Sequence, residues 1–285
     1  MTFYLISGSR KSGKPSETLS LLQQACANAG IAFTVLDLAT TDPLHLPVLV
    51  SGDMLYRSAI HPKARLIEKL MLNDSCTHIY PDLFSALSSH GGSFFHHQRM
   101  KISTIPTIPF IPEANESLEK IVADLGGVPL VVKIVGGSLG VGVIRVDSLE
   151  SLRSLVDYLR GNVPYAYIRK YIKHDYYVRA AVIGGEVVAS HKTYSVEGEF
   201  RTNAVNGNDQ RREPVVLPQH IQQMAVEAAA AIHIEFAGVD ILFDEAGIPY
   251  IAEVNSPFDF SGTQALTGID IAGKLVAYLA QKATA

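Results

Sequence analysis

Apolar and polar residues follow one another along the chain with the periods of strands and helices. An apolar run at residues 2–6 predicts a buried strand, and apolar positions at helical spacing predict a helix over residues 17–29. Residues 31–38 predict a second strand. This order of strand, helix and strand indicates a parallel α/β unit. Residues 40–62 contain prolines at 43, 47 and 62 and are predicted to be mostly loop.

The rest of the chain favours antiparallel strands. Strands are predicted at 129–135, 141–146, 165–172, 176–183, 186–194, 237–243 and 249–254, and helices at 148–160, at 221–232 and from Asp270 onward. The Gly184-Gly185 pair is a strong signal for a two-residue hairpin turn. Residues 104–112 hold three prolines at a spacing of three, so this segment is not helical and is expected to connect the N-terminal part to the next.

The composition is that of a folded protein with more than one domain. The 285 residues are 47% hydrophobic and 18% charged, and this length exceeds that of an average single domain. The net charge of −4 provides no global cationic field, so neither a nucleic acid nor a membrane is expected as a partner. Two cysteines cannot form a disulfide framework, and the N-terminal residues lack the features of a secretory signal. A cytoplasmic location is therefore expected.

Two carboxylates and an amide near the C-terminal end have the chemistry of a metal site. Asp240 interrupts an apolar strand, and Glu253 and Asn255 are two positions apart, so they share one face of the partner strand. A four-residue turn would pair Asp240 with Ile251 and place Glu253 as its diagonal neighbour. Oxygen ligands of these types suit Mg²⁺ or Mn²⁺. The alternative, a pair of solvated acids on a strand face, is disfavoured by the apolar neighbours of Asp240.

Three cationic side chains elsewhere in the chain are candidates for binding phosphate groups. Lys133 ends an apolar run just before the glycine-rich segment 136–142, where backbone N–H groups can approach phosphates closely. Arg201 and Arg179 are candidates for stabilising charge on a transferred phosphoryl group or a tetrahedral intermediate. A purely structural or surface role for each arginine remains open.

A glycine-rich loop near the N-terminus offers a competing interpretation. Residues 8–14 fit G-x-x-x-x-G-K between a predicted strand and helix, which is the context of a phosphate-binding P-loop. The next position must then carry a hydroxyl for Mg²⁺, and it is Pro15. The loop is therefore interpreted as an ordinary strand-to-helix connection, and a P-loop phosphotransferase is a weaker hypothesis.

Six motifs in a fixed order carry a resemblance to a known family. They are Val131-Val132-Lys133 with the glycines that follow, Lys170-Tyr171-Ile172, Phe200-Arg201-Thr202-Asn203, Gly238-Val239-Asp240, Glu253-Val254-Asn255 and Thr267-Gly268-Ile269-Asp270. Together these stretches resemble the ATP-grasp superfamily, and they look most like its RimK-like branch of ribosomal-protein glutamate ligases and related amino-acid ligases. The resemblance covers the chain from about residue 100 to its end.

The resemblance implies a three-part α/β fold and a set of site residues. The parts would be an N-terminal parallel α/β domain at 1–100, a small central domain at 101–172, and an antiparallel C-terminal domain at 173–285 that clamps ATP against the central one. The residues implied to bind ATP are Lys101, Lys133, Gly136, Gly137, Ser138, Gly140, Gly142, Lys170, Tyr171 and Ile172. The implied ligands of two Mg²⁺ ions, with Mn²⁺ as a substitute, are Asp240, Glu253 and Asn255. The implied catalytic residues are Arg201, with Arg179 and Asn203 beside it.

The activity implied by the resemblance is the ATP-dependent joining of a carboxylate and an amine. A carboxylate would attack the γ-phosphate of ATP, and an amine would displace phosphate from the acyl phosphate. The substrates would be small molecules or peptides, and the protein would form a homodimer or homotetramer. An alternative is a catalytically silent nucleotide-binding module on the same fold. Lys170 and Tyr177, which stand where relatives usually carry Glu and Asp, favour that alternative.

Overall fold

The N-terminal part of the molecule is a small parallel sheet. The computed structural model describes residues 1–8, 16–73, 76–79, 92–135, 140–162, 165–201 and 210–285. The sheet contains β1 (Thr2–Ser7), β2 (Ala32–Asp37) and β3 (Met54–Arg57) in the order β2-β1-β3, and both pairings are parallel. Helix α1 (Glu17–Asn28) connects the first two strands, and α2 (Pro62–Met71) follows the third. The predicted parallel unit is confirmed.

Residues 40–62 are mostly loop, as predicted, but β3 lies within them and was not predicted. All four of its residues are buried. A strand that is buried on both faces has no alternation of apolar and polar residues, and the short run was masked by the prolines around it. The core position of β3 is visible in Tyr56, which is 1% exposed and meets the Phe236 ring edge-on.

The central part is an antiparallel sheet with its own core. Its strands are β4 (Thr107–Ile108), β5 (Leu130–Ile134), β6 (Val143–Val146) and β7 (Ala166–Lys170), in the order β4-β7-β5-β6. Helix α3 (Gly92–Arg99) precedes this sheet and contacts β4, and the helices that share its core are α4 (Glu116–Asp124) and α5 (Leu149–Asn162). Helix α5 begins as predicted, because the Ser148 hydroxyl accepts a hydrogen bond from the Ser151 N–H at 3.2 Å. Helices α3 and α4 were not predicted.

The C-terminal part is a five-stranded antiparallel sheet. Its strands are β8 (Tyr176–Ile183), β9 (Glu186–Tyr194), β10 (Arg212–Pro214), β11 (Phe236–Phe243) and β12 (Pro249–Asn255), in the order β10-β9-β8-β11-β12. Helices α6 (Gln219–Ala231), α7 (Ser261–Thr267) and α8 (Ile271–Thr284) accompany it. The predicted hairpin at Gly184-Gly185 is confirmed. The final helix also begins as predicted, with Asp270 as its N-cap.

The two faces of the five-stranded sheet have different roles. Val178 and Val239 belong to the largest hydrophobic core, and this core also contains Phe3 and Leu22 from the N-terminal part. The intervening residues point to the other face, since side chains alternate along a strand. That other face, which faces the central sheet, carries the polar side chains described below. The predicted α/β fold class, with a parallel sheet followed by antiparallel sheets, is confirmed.

None of the helices in the described ranges combines the length and the apolar character that crossing a membrane requires.

Candidate active site

A cavity of about 350 Å³ lies between the central sheet and the five-stranded sheet. The predicted site residues that line it are Lys133, Gly140, Lys170, Tyr171, Ile172, Arg201, Asp240, Glu253 and Asn255. A larger cavity, of about 530 Å³, lies beside α6 and α8 and is lined by none of the predicted site residues. Most of the predicted site residues that the structure describes therefore line the smaller cavity.

The register of β11 and β12 differs from the predicted one. Asp240 stands directly opposite Glu253, whereas Ile241 stands opposite Ile251, so the register shifts by one residue between these pairs. Ala252 is the extra residue of a β-bulge. The prediction that Asp240 pairs with Ile251 is therefore wrong for two reasons. The turn between Phe243 and Pro249 has five residues and not the four that were assumed, so Ile251 stands opposite Ile241. The bulge then shifts the pairing by one more residue, and a count from the turn does not reveal a bulge. The two carboxylates are closer neighbours than predicted.

Asp240 is buried and its charge is compensated by an arginine. Its side chain accepts two hydrogen bonds of 2.7 Å from Arg179, one on each oxygen. The Asn255 amide donates a third, at 3.3 Å. Burial nevertheless raises the pKa of Asp240 above its ordinary value. The carboxylate is thus held in a desolvated position where an added cation would be stabilising.

Glu253 faces cations from the opposite sheet. The Lys133 ammonium on β5 donates a hydrogen bond of 3.3 Å to its Oε1. Burial favours the neutral acid, but Lys133 and Arg169 together outweigh it and lower the pKa of Glu253. Lys133 itself loses solvation, yet Glu253 raises its pKa. Both side chains are therefore charged at neutral pH.

The donors in this corner fit a hard divalent cation. Nowhere in the described ranges do three His, Cys, Asp or Glu side chains converge as a metal cluster, so the site depends on two carboxylates and the Asn255 amide. Asn255 uses its N–H₂ group on Asp240, and its carbonyl oxygen is the end that can ligate. Oxygen donors of this kind are the ligands that Mg²⁺ prefers, completed by substrate phosphates and water. Asp240, Glu253 and Asn255 therefore fit Mg²⁺.

Arg201 is held at the mouth of the cavity. It forms a two-pronged ion pair with Glu199, with Nε at 2.8 Å from Oε1 and Nη2 at 2.6 Å from Oε2. Its Nη1 also donates to the Gly140 carbonyl at 3.4 Å. The predicted phosphate-loop residue and the predicted catalytic arginine are thus in contact. Arg179 is engaged by Asp240 instead.

The predicted hinge borders the cavity with backbone and aromatic groups. The Lys170 N–H donates to the Pro106 carbonyl at 2.9 Å, and Ile172 is buried. The Arg145 guanidinium lies over the Tyr171 ring, 4.7 Å from the ring centre, and the Phe200 ring meets the Tyr171 ring edge-on. This segment joins β7 to β8, so it links the two sheets at one end of the cavity.

Several predicted residues are not brought into the cavity lining. Lys101 is exposed, with a backbone φ of 58°. Gly142 has a φ of 79°, and its carbonyl accepts the Ile134 N–H at 2.8 Å, so it shapes the turn after β5 rather than the cavity wall. Gly136, Gly137, Ser138 and Asn203, together with most of the 8–14 loop, lie outside the described residues. Their roles stay predictions.

A model of the RimK-like ATP-grasp domain matches residues 98–279, which is more than half of the chain. The chain belongs to the RimK-like ATP-grasp family. The predicted resemblance is thereby confirmed.

Individual relatives support this placement. A probable alpha-L-glutamate ligase of Enterobacter sp. (strain 638) is 32% identical over 176 residues, which cover 61% of this chain and 58% of that protein. A ribosomal protein bS6–L-glutamate ligase of Escherichia coli O139:H28 is 35% identical over the same coverage. The chain therefore matches only 58% of the length of these curated relatives.

Solved structures extend the likeness of the fold to almost the whole chain. The ATP-grasp ligase PsnB with its minimal precursor has a TM-score of 0.75 at 15% identity, covering 99% of this chain and 100% of that one. The macrocyclase MdnC of Microcystis aeruginosa MRC, bound with precursor peptide MdnA, has a TM-score of 0.73 at 14% identity, with coverage of 99% and 100%. D-alanine–D-alanine ligase of Bacillus anthracis with ATP has a TM-score of 0.69 at 20% identity, with coverage of 100% and 97%. At these identities the likeness establishes the fold alone.

One cationic side chain that lines the cavity between the two sheets, Arg169, was not predicted from the sequence. Arg169 is 8% exposed, with its guanidinium 4.4 Å above the Phe94 ring. The available signal was a charged residue at an inward position of β7, an apolar strand. It was overlooked because Lys170 beside it carried the family motif.

Two histidines near the cavity were also missed. His174 lines the cavity and contacts the Ile172 carbonyl through Nδ1 at 2.8 Å, and burial lowers its pKa. His191 stands beside Arg179 across β8 and β9. No sequence spacing distinguishes such residues from ordinary strand positions.

Proposed function

We propose that this protein is an ATP-dependent carboxylate–amine ligase that forms an amide through an acyl-phosphate intermediate and releases ADP and phosphate. The observation that carries the proposal is the facing arrangement of Lys133 on the central sheet and Glu253 and Asp240 on the five-stranded sheet. The Lys133 ammonium lies 3.3 Å from the nearest carboxylate oxygen of Glu253 across the cavity. The ammonium can bind phosphate oxygens of a triphosphate, and the two carboxylates can bind the divalent cation that accompanies it. Membership of the ATP-grasp family supports the same reaction class.

The proposed reaction has two balanced steps. A substrate carboxylate oxygen attacks the γ-phosphorus of ATP, and the bond to the bridging oxygen breaks to release ADP. An amine nitrogen then attacks the acyl carbon, loses a proton and expels inorganic phosphate. No covalent bond to the protein is needed, so the side chains act by binding and by electrostatic stabilisation.

Most of the predicted site residues that line the cavity have a role in this scheme. Lys133 binds phosphate oxygens, and the Gly140 end of the glycine segment lies beside Arg201, which neutralises charge on the transferred phosphoryl group. Tyr171 and Ile172 border the nucleotide base. Asp240, Glu253 and Asn255 hold the cation. When bound, Mg²⁺ neutralises phosphate charge and orients the phosphates for in-line attack.

The number of ions and the substrates are part of the proposal. We take two Mg²⁺ ions, replaceable by Mn²⁺, as the metal complement. Relatives are named as glutamate ligases of a ribosomal protein, and the ligase PsnB and the macrocyclase MdnC have each been solved with a precursor peptide. Amino acids or peptides are therefore the proposed carboxylate and amine substrates.

We also propose that the three parts of the protein divide at 1–100, 101–172 and 173–285. The separate core of the central sheet supports the middle part. The core shared between the N-terminal sheet and the five-stranded sheet means that the outer two parts would move as one body.

The test is a ligase screen with product detection by mass spectrometry. The protein is incubated with ATP, Mg²⁺ and a library of amino acids and peptides, and parallel reactions contain hydroxylamine to trap an acyl phosphate as a hydroxamate. We expect ADP, phosphate and an amide or hydroxamate in equal amounts, and none with Glu253→Gln. Release of AMP would refute the acyl-phosphate route. ATP binding without turnover across the library would favour the silent nucleotide-binding module.

A further inference from the structure

The bulge in β12 decides which face of the sheet Glu253 occupies. On the turn side of the bulge Ile241 stands opposite Ile251. If that register continued without a bulge, Glu253 would stand opposite Val239, which is completely buried in the core. A shift of one residue moves a side chain to the other face of a sheet. The bulge at Ala252 is therefore what places Glu253 opposite Asp240.

The carbonyl of the bulged residue is held from the other sheet. Arg169 on β7 donates from Nη1 and Nη2 to the Ala252 carbonyl oxygen, at 3.3 and 3.4 Å. Its guanidinium is fixed from a second side by the Phe94 ring, 4.4 Å away. Ala252 stands opposite no residue of β11, so it lies outside the regular pairing of the two strands, and Arg169 supplies its carbonyl with two donors. The contact reaches across the cavity that separates the two sheets.

We propose that Arg169 is a positioning residue for the cation site: by holding the Ala252 carbonyl it fixes the bulge and so keeps Glu253 in place as a metal ligand. The inference rests on the proposed function only in taking Glu253 as a ligand. It assigns to Arg169 an effect on metal binding that its charge alone would not produce. An arginine near a cation site repels the cation, whereas an arginine that positions a ligand strengthens binding.

The opposite signs of these two effects make the inference testable without turnover. Mn²⁺ alone is titrated into the full chain, and free Mn²⁺ is measured by electron paramagnetic resonance. We expect Arg169→Met to weaken Mn²⁺ binding by roughly tenfold or more, which is typical for loss of a group that orients a metal ligand. Arg169→Lys keeps the positive charge but loses the second donor and the planar group over the Phe94 ring, so it is expected to restore only part of the affinity.

Lys133→Met is the matched control. It removes a positive charge that also faces Glu253 but leaves the Ala252 carbonyl contact intact. We expect this variant to bind Mn²⁺ at least as tightly as the wild type. If Arg169→Met does not fold, as judged by circular dichroism, Arg169→Gln replaces it, because its shorter amide does not reach the carbonyl.

Two results would overturn the inference, and they are distinguishable. Wild-type affinity for Mn²⁺ in Arg169→Met, or tighter binding, would show that Arg169 acts only through its charge, and the proposed function would stand. A wild-type protein that binds no Mn²⁺ would remove the metal site itself, and with it both the inference and the metal part of the proposed function.

Discussion

Arg179 and Asp240 hold each other across neighbouring strands, with both guanidinium–carboxylate hydrogen bonds at 2.7 Å. The Asp240 side chain is 4% exposed and that of Arg179 is 22% exposed. The residue predicted as a metal ligand and a residue predicted as catalytic are therefore one buried ion pair. Such a pair contributes little net stability, but removal of one partner leaves a buried charge uncompensated.

Asp240→Asn and Glu253→Gln should therefore have equal effects on turnover and different effects on stability. Both remove a proposed metal ligand, so both should abolish amide formation. Asp240→Asn also strips Arg179 of its counter-charge and should lower the free energy of unfolding by about 3 kcal/mol. Glu253→Gln should lower it by about 1 kcal/mol or less, because the Lys133–Glu253 pair remains partly hydrated. Urea denaturation of the two variants measures the difference, and equal losses would contradict this account of Asp240.

Lys133→Met should weaken ATP binding by roughly tenfold to a hundredfold, the range for loss of one charge-assisted hydrogen bond. Lys133 is held toward the cavity by Glu253, so it needs little reorganisation to meet a phosphate. Isothermal titration calorimetry with a non-hydrolysable ATP analogue measures the change. Lys120→Met is the control, since Lys120 is exposed on α4 and pairs with Asp124. Unchanged affinity in Lys133→Met would remove Lys133 from the nucleotide site.

The sequence predicted more of the fold than of the site, because the fold leaves local patterns in the sequence and the geometry of the site does not. Hairpins and amphipathic helices carry local periodicity, so Gly184-Gly185 and the helix after Asp270 were found from sequence. The bulge at Ala252 is a property of how two strands pair, and no local pattern reveals it. The partnership of Arg169 with that bulge joins residues 83 positions apart on different sheets, which only the folded chain brings together.

The buried pair of Arg57 on β3 and Glu68 on α2 gives a prediction about stability. Arg57 Nε donates to Glu68 Oε2 at 2.9 Å, and the two side chains are 4% and 9% exposed. Arg57 also donates to the Ala59 carbonyl, next to the cavity residue Ile60. Glu68→Ala should lower the free energy of unfolding by roughly 3 kcal/mol, because it leaves Arg57 buried without this counter-charge.

The double variant Arg57→Met/Glu68→Met is the control for that prediction. With both members of this pair removed, neither is left without the other, and the loss should be smaller than in Glu68→Ala. Urea denaturation compares the two. A double variant less stable than Glu68→Ala would mean that Arg57 stabilises the fold chiefly through partners other than Glu68.

His191 should make the protein less stable as the pH falls below 6.5. Burial, reinforced by Arg179 and Arg212, lowers the pKa of His191 from 6.5 to about 4. Between these values the unfolded chain binds a proton on this residue and the folded chain does not, so the free energy of unfolding decreases as the pH falls. The contribution of His191 to this decrease should be about 2 kcal/mol between pH 7 and pH 5.

Urea denaturation of the wild type and of His191→Gln at both pH values isolates the contribution of His191, because the variant keeps every other titrating group. His220→Gln, at an exposed position on α6, should retain the full wild-type decrease. An equal decrease in the wild type and His191→Gln would mean that His191 is protonated as readily in the folded protein as in the unfolded chain.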